Sequence, residues 1–157
     1  MKKALFLSIL VVTTLISCTH KPLYQQFYNF DDGVWNRFKT LDFNIPVEKV
    51  GVEYDIVLIL EYDVNFPEDK LPLHVIMDTP AGEERIKEYH VRLRSYNGTI
   101  YGKVADNKAT QEITLRKGYS FSKKGIVNLN LECFYPKYDI KGVYKVGIEL
   151  RKTDNDD

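Results

Sequence analysis

The chain has 157 residues, in which 22 basic residues balance 22 acidic ones, with 11 tyrosines, one tryptophan and two cysteines. The length fits a single domain, and the balanced charge gives no electrostatic reason to expect a nucleic-acid partner, which selects a basic face. Two cysteines are too few for a disulfide framework or a four-cysteine zinc site. Composition therefore indicates one tyrosine-rich globular domain and leaves its function open.

The first residues have the layout of a secretory signal peptide. Lys2 and Lys3 form a basic start, and an uncharged apolar run over 4–16 follows, which is too short for a standard transmembrane helix. The run leads into Leu15-Ile16-Ser17-Cys18, which resembles the bacterial lipobox. In that motif, cleavage between Ser17 and Cys18 frees the amine of Cys18, and the thiol receives a diacylglycerol. The alternatives are an ordinary signal peptide that contains a cysteine, or an uncleaved anchor.

We therefore predict a lipoprotein signal peptide at 1–17 and a covalent lipid on Cys18, with no other cofactor. Two acyl chains, such as palmitate, hold a protein stably at a membrane. Asp does not follow Cys18, a position where it commonly signals inner-membrane retention, and no acidic run resembles a surface-export tag. The sequence predicts an outer-membrane lipoprotein that faces the periplasm and does not span the membrane.

The polar segment 18–23 is predicted to be a tether, and beyond it apolar and polar residues alternate along most of the chain. This period of two is typical of strands with one buried face. The longest such segment is Val52 to Val64, where Val57 and Ile59 add apolar residues to the second face and predict that part of it is covered too. The same pattern predicts strands at 41–45, 71–77, 89–93, 100–104, 113–115, 127–133 and 144–150.

We therefore predict an all-β domain at 24–152, an antiparallel β-sandwich that is jelly-roll-like and has about eight or nine strands. Asn97-Gly98 tolerates positive φ and predicts a tight hairpin turn before a return strand through Ile100 and Val104. The acidic end, 153–157, has no apolar residue to pack and is expected to be disordered.

Residues that carry enzyme chemistry are few and scattered. His20 lies in the tether, while His74 and His90 lie on polar faces of separate predicted strands, where we expect them to be solvated. A metal or proton-transfer role would need adjacent strands and a nearby carboxylate. Cys133 falls on an apolar face and is predicted to be a buried, unreactive thiol.

Acidic pairs at Asp31-Asp32 and Glu83-Glu84 lie in predicted turns and lack the spaced oxygen ligands of a calcium loop. No glycine-rich junction between a strand and a helix offers a phosphate site. The sequence therefore predicts no metal site, no catalytic residue and no enzyme activity.

Aromatic residues near turns and strand ends are the remaining binding candidates: Trp35, Tyr62, Tyr96, Tyr101, Tyr119 and Phe121. Packing in the core or at a sheet edge is the ordinary role of such residues, although surface aromatics on a jelly roll could also stack on sugar rings. Trp35, Tyr96 and Tyr101 are the predicted contacts with a protein partner or a glycan.

Taken in order, the chain after Cys18 resembles the gliding-motility lipoprotein H family, the GldH-like lipoproteins. Five stretches carry the resemblance: Tyr24 to Phe30 with Gly33-Val34-Trp35; Leu41 to Ile45; Tyr54 to Tyr62 with Phe66-Pro67 and Leu71; Leu93 with Asn97 to Gly102; and Ile140 to Ile148. Two positions depart from the family pattern, since Glu61 stands where Arg is common and Lys70 where Asn is common. If that Arg serves a partner in the family, Glu61 could not serve it in the same way.

The resemblance implies a periplasmic or outer-membrane lipoprotein that is accessory to gliding machinery and linked secretion, and it brings no catalytic residues. A lipid-anchored sandwich could bind an envelope protein by strand addition or by aromatic anchors. The alternative is a glycan-binding lipoprotein of a polysaccharide-uptake system, which would expose two or three coplanar aromatics. A hydrolase is the third hypothesis and would need His74, His90 and acidic residues to converge.

Overall fold

A computed structural model describes residues 21–154, and this range contains eleven strands and no helix. It therefore holds no helix of the length and apolarity needed to cross a bilayer. The predicted signal peptide at 1–17, Cys18, His20 and the last residues 155–157 lie outside the described residues. The strands are β1 (Tyr24–Asn29), β2 (Val34–Asn36), β3 (Leu41–Val47), β4 (Glu53–Asp63), β5 (Lys70–Asp78), β6 (Glu84–Arg92), β7 (Lys103–Ala105), β8 (Lys108–Ser120), β9 (Gly125–Cys133), β10 (Asp139–Lys141) and β11 (Val143–Lys152).

The eight longer strands follow jelly-roll topology. One sheet has the order β1-β11-β4-β8-β7, and the other has the order β3-β9-β5-β6. Among the longer strands the first pairs with the last, and the pairing continues inward: β1 with β11, β3 with β9, β4 with β8, and β5 with β6, all antiparallel. Two Greek-key sheets of this kind define a jelly roll, so the predicted all-β sandwich is confirmed.

The core lies between the two sheets and follows the alternation seen in the sequence. On β4, five inward-facing side chains are each at most 3% exposed: Tyr54, Ile56, Leu58, Leu60 and Tyr62. They join buried residues of the four-stranded sheet, such as Phe43, Leu73 and Leu131, in one apolar cluster. Successive residues of a strand point to opposite faces, so one face of each central strand supplies this cluster.

The opposite face of β4 is also covered at its centre, as predicted. Val57 and Ile59 lie on that face and are only 4% and 7% exposed. In register with Ile59, Phe27 of β1 lies over Gly147 of β11. A Cβ on Gly147 would come within 2.1 Å of the Phe27 ring, so the glycine is what allows this ring to lie on the sheet.

Several segments differ from the predicted strands, and the short strands β2 and β10 are not among those predicted. β1 is absent from the prediction, because Gln25 and Gln26 interrupt its alternation. Val104 does not return along β6: it pairs with β8 around a turn in which Asp106 and Asn107 both have positive φ. The predicted Asn97-Gly98 turn does form, but the ladder behind it is a single bridge between Arg94 and Ile100.

The jelly-roll connections separate the loops into two groups at opposite ends of the sandwich. The short-loop end comprises loops 48–52, 79–83 and 121–124 with the start of β1. The long-loop end comprises 30–40, 64–69, 93–107 and 134–142, which contain β2, β7 and β10. One end of the domain therefore carries most of the irregular surface.

Tyr62 fastens the 93–107 loop to the core. Its side chain is 1% exposed. Its hydroxyl donates to two backbone carbonyl oxygens, that of Leu93 at 2.6 Å and that of Tyr101 at 2.7 Å. Burial raises the pKa of Tyr62 to about 12, against an opposing effect of Arg94. The fold thus favours the neutral phenol, which keeps its proton to donate.

Tyr62→Phe removes this donor, and we expect the free energy of unfolding to fall by about 1–3 kcal/mol in chemical denaturation at neutral pH. Because folding raises the pKa from 10.0 to about 12, the contribution of the neutral phenol is complete below pH 10 and is lost as the pH rises toward 12. The difference in free energy of unfolding between wild type and variant should become smaller as the pH rises from 10 to 12. Tyr96→Phe, at a fully exposed tyrosine, is the control, and equal losses of stability in both variants would contradict the role of Tyr62.

Candidate functional site

Exposed aromatic side chains are concentrated at the long-loop end. Among the described residues, the strongly exposed aromatics are Phe38, Tyr96, Tyr101, Phe134 and Tyr138, and all of them lie on its loops. Exposed aromatic surface of this kind marks interaction sites more often than it marks ordinary solvent-facing surface. The long-loop end is therefore the candidate binding surface.

An arginine packed against two aromatic rings forms the centre of this surface. The rings of Phe38 and Tyr138 have centres 5.6 Å apart and are inclined at 34°. The guanidinium carbon of Arg37 lies 4.7 Å from the centre of the Phe38 ring and 5.2 Å from that of Tyr138. Phe38 and Tyr138 are 66% and 67% exposed, and Phe134 is 54% exposed. We call Arg37, Phe38, Phe134 and Tyr138 the Arg37 patch.

Two short strands hold the Arg37 patch in place. β2 and β10 form a separate two-stranded ribbon, and just beyond it the backbone N–H of Arg37 donates to the carbonyl of Tyr138 at 2.9 Å. The guanidinium Nη1 donates to the backbone oxygens of Tyr135 at 3.0 Å and Pro136 at 3.4 Å. Because these bonds fix both loops, the patch has little conformational freedom to lose when a partner binds.

A groove of about 290 Å³ lies beside the patch, lined by Arg37, Phe38, Thr40, Glu132, Cys133 and Phe134. Phe134 also packs against His74, with ring centres 4.0 Å apart. Cys133 is 5% exposed, as predicted, and burial raises the pKa of its thiol to about 12. The thiol therefore stays protonated at neutral pH and is a poor nucleophile.

The predicted contact residues Tyr96 and Tyr101 lie on the 93–107 loop at the same end. Tyr96 is fully exposed beside the Asn97-Gly98 turn, which a 2.8 Å bond from the Ser95 N–H to the Thr99 carbonyl closes. Tyr101 is 37% exposed, and its backbone oxygen is bound by the Tyr62 hydroxyl. Both tyrosines are accessible from solvent.

Trp35, the third predicted contact, lies in the core instead, so the expectation that it contacts a partner is wrong. Its side chain is 0% exposed and stacks on Phe30 with ring centres 5.9 Å apart. The indole N–H donates to the carbonyl of Lys39 at 3.0 Å. A buried indole whose N–H is bonded is a packing residue, and here it secures the loop that carries Arg37 and Phe38.

Trp35 is the single tryptophan of the sequence, so fluorescence reports its environment directly. We expect the emission maximum of the folded protein to lie at shorter wavelength than that of the unfolded chain. Iodide should quench the folded protein several-fold less, because the indole is shielded from water. Equal quenching of folded and unfolded protein would show that Trp35 is on the surface after all.

His74 and His90 lie closer together than the sequence predicts. Their strands, β5 and β6, are neighbours, and the Glu88 carboxylate is 3.6 Å from Nε2 of His74 and 2.9 Å from Nε2 of His90. The two histidines lie on polar faces of separate strands, as predicted, but these strands are adjacent and bring both side chains to the same face as a carboxylate, since cross-strand partners and alternate residues share a face. Residues 21–154 nevertheless contain no group of three ligating side chains that could hold a metal ion.

Of the residues of the Arg37 patch that were not predicted, only Phe134 lies in a sequence pattern that indicates its orientation. Phe134 follows the inward-facing run Leu129, Leu131 and Cys133, so alternation places it on the outer face. Phe38 and Tyr138 lie in irregular segments, where alternation gives no direction. Their meeting depends on the pairing of β2 with β10, which brings together segments about a hundred residues apart.

Comparison with known proteins decides the family. The model of the GldH lipoprotein family matches residues 22–150. The chain belongs to the GldH lipoprotein family. The gliding motility lipoprotein GldH of Flavobacterium johnsoniae is 23% identical to it over 143 residues, which cover 90% of this chain and 76% of that protein. The resemblance inferred from the order and spacing of residues is thereby confirmed.

Two solved structures resemble the chain weakly. A family GH115 4-O-methyl-α-glucuronidase with specificity for decorated arabinogalactans aligns with a TM-score of 0.46 and 17% identity, over 85% of this chain and 18% of that chain. A structure of infectious bursal disease virus, Gx strain, aligns with a TM-score of 0.32 and 10% identity, over 86% of this chain and 34% of that chain. Neither likeness bears on the function of this GldH-family chain.

Proposed function

We propose that this GldH-family protein is a non-enzymatic accessory lipoprotein, anchored in the outer membrane by a lipid on Cys18 and facing the periplasm. In this proposal it binds a protein of the gliding-motility and linked secretion machinery through the Arg37 patch. The exposed packing of Arg37 against Phe38 and Tyr138 is the observation that carries the proposal. Membership of a gliding-motility lipoprotein family supports the anchoring and the choice of machinery.

The chemistry of the Arg37 patch suits protein recognition. Arginine and large aromatic residues supply most of the binding energy at protein interfaces, above all where neighbouring residues exclude water. Within the described residues the guanidinium hydrogen bonds of Arg37 come from Nη1, so Nε and Nη2 can donate to a carbonyl or carboxylate of a partner. The adjacent groove could receive an apolar side chain from the same partner.

Catalysis fits the same region poorly. Cys133 in the groove is held as a protonated thiol. His74 and His90 pair with Glu88 on an open sheet face, where the side chains of His90 and Glu88 are 61% and 53% exposed. Nucleophilic and acid-base chemistry both depend on a site that positions substrate and limits water. The long-loop end is better suited to binding.

The patch is tested with the double variant Phe38→Ala/Tyr138→Ala. Ile86→Ala/Ile126→Ala is the matched control, because it also truncates two exposed apolar side chains, 60% and 51% exposed, on β6 and β9. Affinity capture of the intact protein from its own envelope should recover motility or secretion proteins with wild type and control. The patch variant should recover at least about tenfold less, since interface anchors contribute about 1 kcal/mol or more each.

Equal recovery by the two double variants would rule out the Arg37 patch as the contact. Recovery of sugar-uptake proteins in place of motility proteins, or binding of a polysaccharide that depends on Phe38 and Tyr138, would instead favour the alternative of a glycan-binding lipoprotein. The tilt of 34° between these two rings departs from the coplanar platform that stacking on a sugar chain favours.

Lipidation is tested with Cys18→Ser, with Cys133→Ala as the control that removes the other cysteine. We expect Cys18→Ser to abolish incorporation of a labelled fatty acid and to release the protein from the membrane fraction, because one residue supplies the whole acyl attachment. The control should keep both the label and its sedimentation with outer-membrane markers. Unchanged fractionation of Cys18→Ser would refute the anchor, and sedimentation of the wild type with inner-membrane markers would refute the proposed location.

A further inference from the structure

The point where the chain joins the domain lies at the short-loop end. The N–H of Leu23 donates to the carbonyl of Leu150 at 2.8 Å, and Tyr24 then pairs with Leu150 at the start of β1. The neighbouring loops at this end are 48–52, 79–83 and 121–124. Any anchor that precedes residue 21 is therefore attached to the sandwich at this end.

We propose that the short-loop end is a membrane-contact surface, which rests on the phospholipid leaflet holding the anchor and directs the Arg37 patch away from the bilayer. This inference rests on the proposed lipid at Cys18. Only Thr19 and His20 separate Cys18 from Lys21. Because an extended chain spans roughly 3.5 Å per residue, Lys21 lies within about 10 Å of the lipidated residue.

The side chains around this point suit an interface between water and lipid. Leu23 is 61% exposed and Val50 is 45% exposed, and Leu23 lines a groove of about 260 Å³ that Val52, Leu150 and Lys152 also line. Aliphatic side chains beside lysines are favourable at a bilayer surface, since a lysine can bury its stem and keep its ammonium at the headgroups.

The charges at the short-loop end are mixed, so the attachment to the membrane falls to the proposed lipid. Lys49, Lys123 and Lys124 are exposed there, against Glu48 and Glu83, and Glu83 is already paired with Arg85 at 2.9 Å. The exposed acidic residues Glu53, Glu84 and Asp154 lie at the same end, so the described residues of this end carry no excess of cations and its charges could not hold an untethered domain at a membrane. The surface thus acts together with the lipid, and its occupant is the bilayer itself.

In this orientation, the length of the sandwich sets the distance between the Arg37 patch and the membrane surface. β4 spans the domain from one end to the other with 11 residues, which at about 3.3 Å per residue separates the two ends by about 33 Å. A partner that binds the patch would meet it well clear of the lipid headgroups. The short tether limits tilting, because a domain held within about 10 Å of its anchor cannot easily lie with the opposite end on the membrane.

The orientation is tested by placing a fluorophore on single introduced cysteines. Val50→Cys and Lys123→Cys report the short-loop end, and Tyr96→Cys and Asn65→Cys report the long-loop end; all four positions are exposed. Cys133 should not react, since it is 5% exposed and its thiol pKa is raised to about 12. The lipidated protein is purified from its envelope and reconstituted in phosphatidylethanolamine and phosphatidylglycerol vesicles that contain headgroup spin-labelled lipid.

We expect quenching by the spin-labelled lipid to be several-fold stronger at positions 50 and 123 than at positions 65 and 96. Equal quenching at the two ends, or stronger quenching at the long-loop end, would overturn the orientation. The orientation would also be overturned if the fluorophores at positions 50 and 123 were shielded from water to an extent that depends on protein concentration and persists in vesicles without spin label. A second copy of the chain would then cover that end.

Flotation of the unlabelled protein separates this proposal from the one on which it rests. If wild type floats with vesicles and Cys18→Ser does not, the anchor is supported, and the quenching pattern alone decides the orientation. If both remain in solution or both float equally, lipid at Cys18 is not the anchor, and the argument from tether length fails with it. Two positions at each end keep the comparison intact if one variant folds poorly.

Discussion

The pairing of β11 with β1 on one side and with β4 on the other is the interaction that joins the first strand of the domain to its core. β1 is an edge strand whose ladder partner is β11, and β11 in turn lies against β4, the centre of the five-stranded sheet. The inward residues of β11, Val146, Ile148 and Leu150, are at most 1% exposed. The first strand of the domain is therefore joined to the core through the last one.

The extent to which each strand buries one of its faces explains why some strands were predictable from the sequence and others were not. β3, β4 and β9 each bury one complete face, so every second residue along them is apolar and the pattern predicts them, with Val57 and Ile59 as additional apolar residues on the second face of β4. β6 is an edge strand whose residues from Glu84 to Glu88 are all exposed, and β1 is polar at two successive positions. β1 and β6 bury only part of one face, so the local pattern shows them incompletely. The partner of β1 also lies at the other end of the chain, where a local pattern cannot indicate it.

The candidate site was less predictable than the fold, for a related physical reason. A strand of three residues, such as β2 around Trp35, is too short for alternation to show which way a side chain points, and Phe38 follows it in an irregular segment where there is no alternation at all. Trp35 is held inward by its stacking on Phe30 and its bond to the Lys39 carbonyl, whereas Phe38 is left outside beside Arg37. The buried tryptophan is the support of the patch rather than part of it.

The resemblance leads us to expect an arginine at the position of Glu61, and the surroundings of Glu61 explain why an acidic residue suits this chain. Glu61 lies on the outer face of the five-stranded sheet, 3.6 Å from both Lys108 and Lys145, and the Lys108 ammonium also lies 3.9 Å from the centre of the Tyr144 ring. An arginine at this position would face two lysines, so the acidic residue and its cationic neighbours form one matched set. Because this set lies on the sheet and not on the loops of the Arg37 patch, an acidic residue at position 61 leaves the geometry of the patch unaffected.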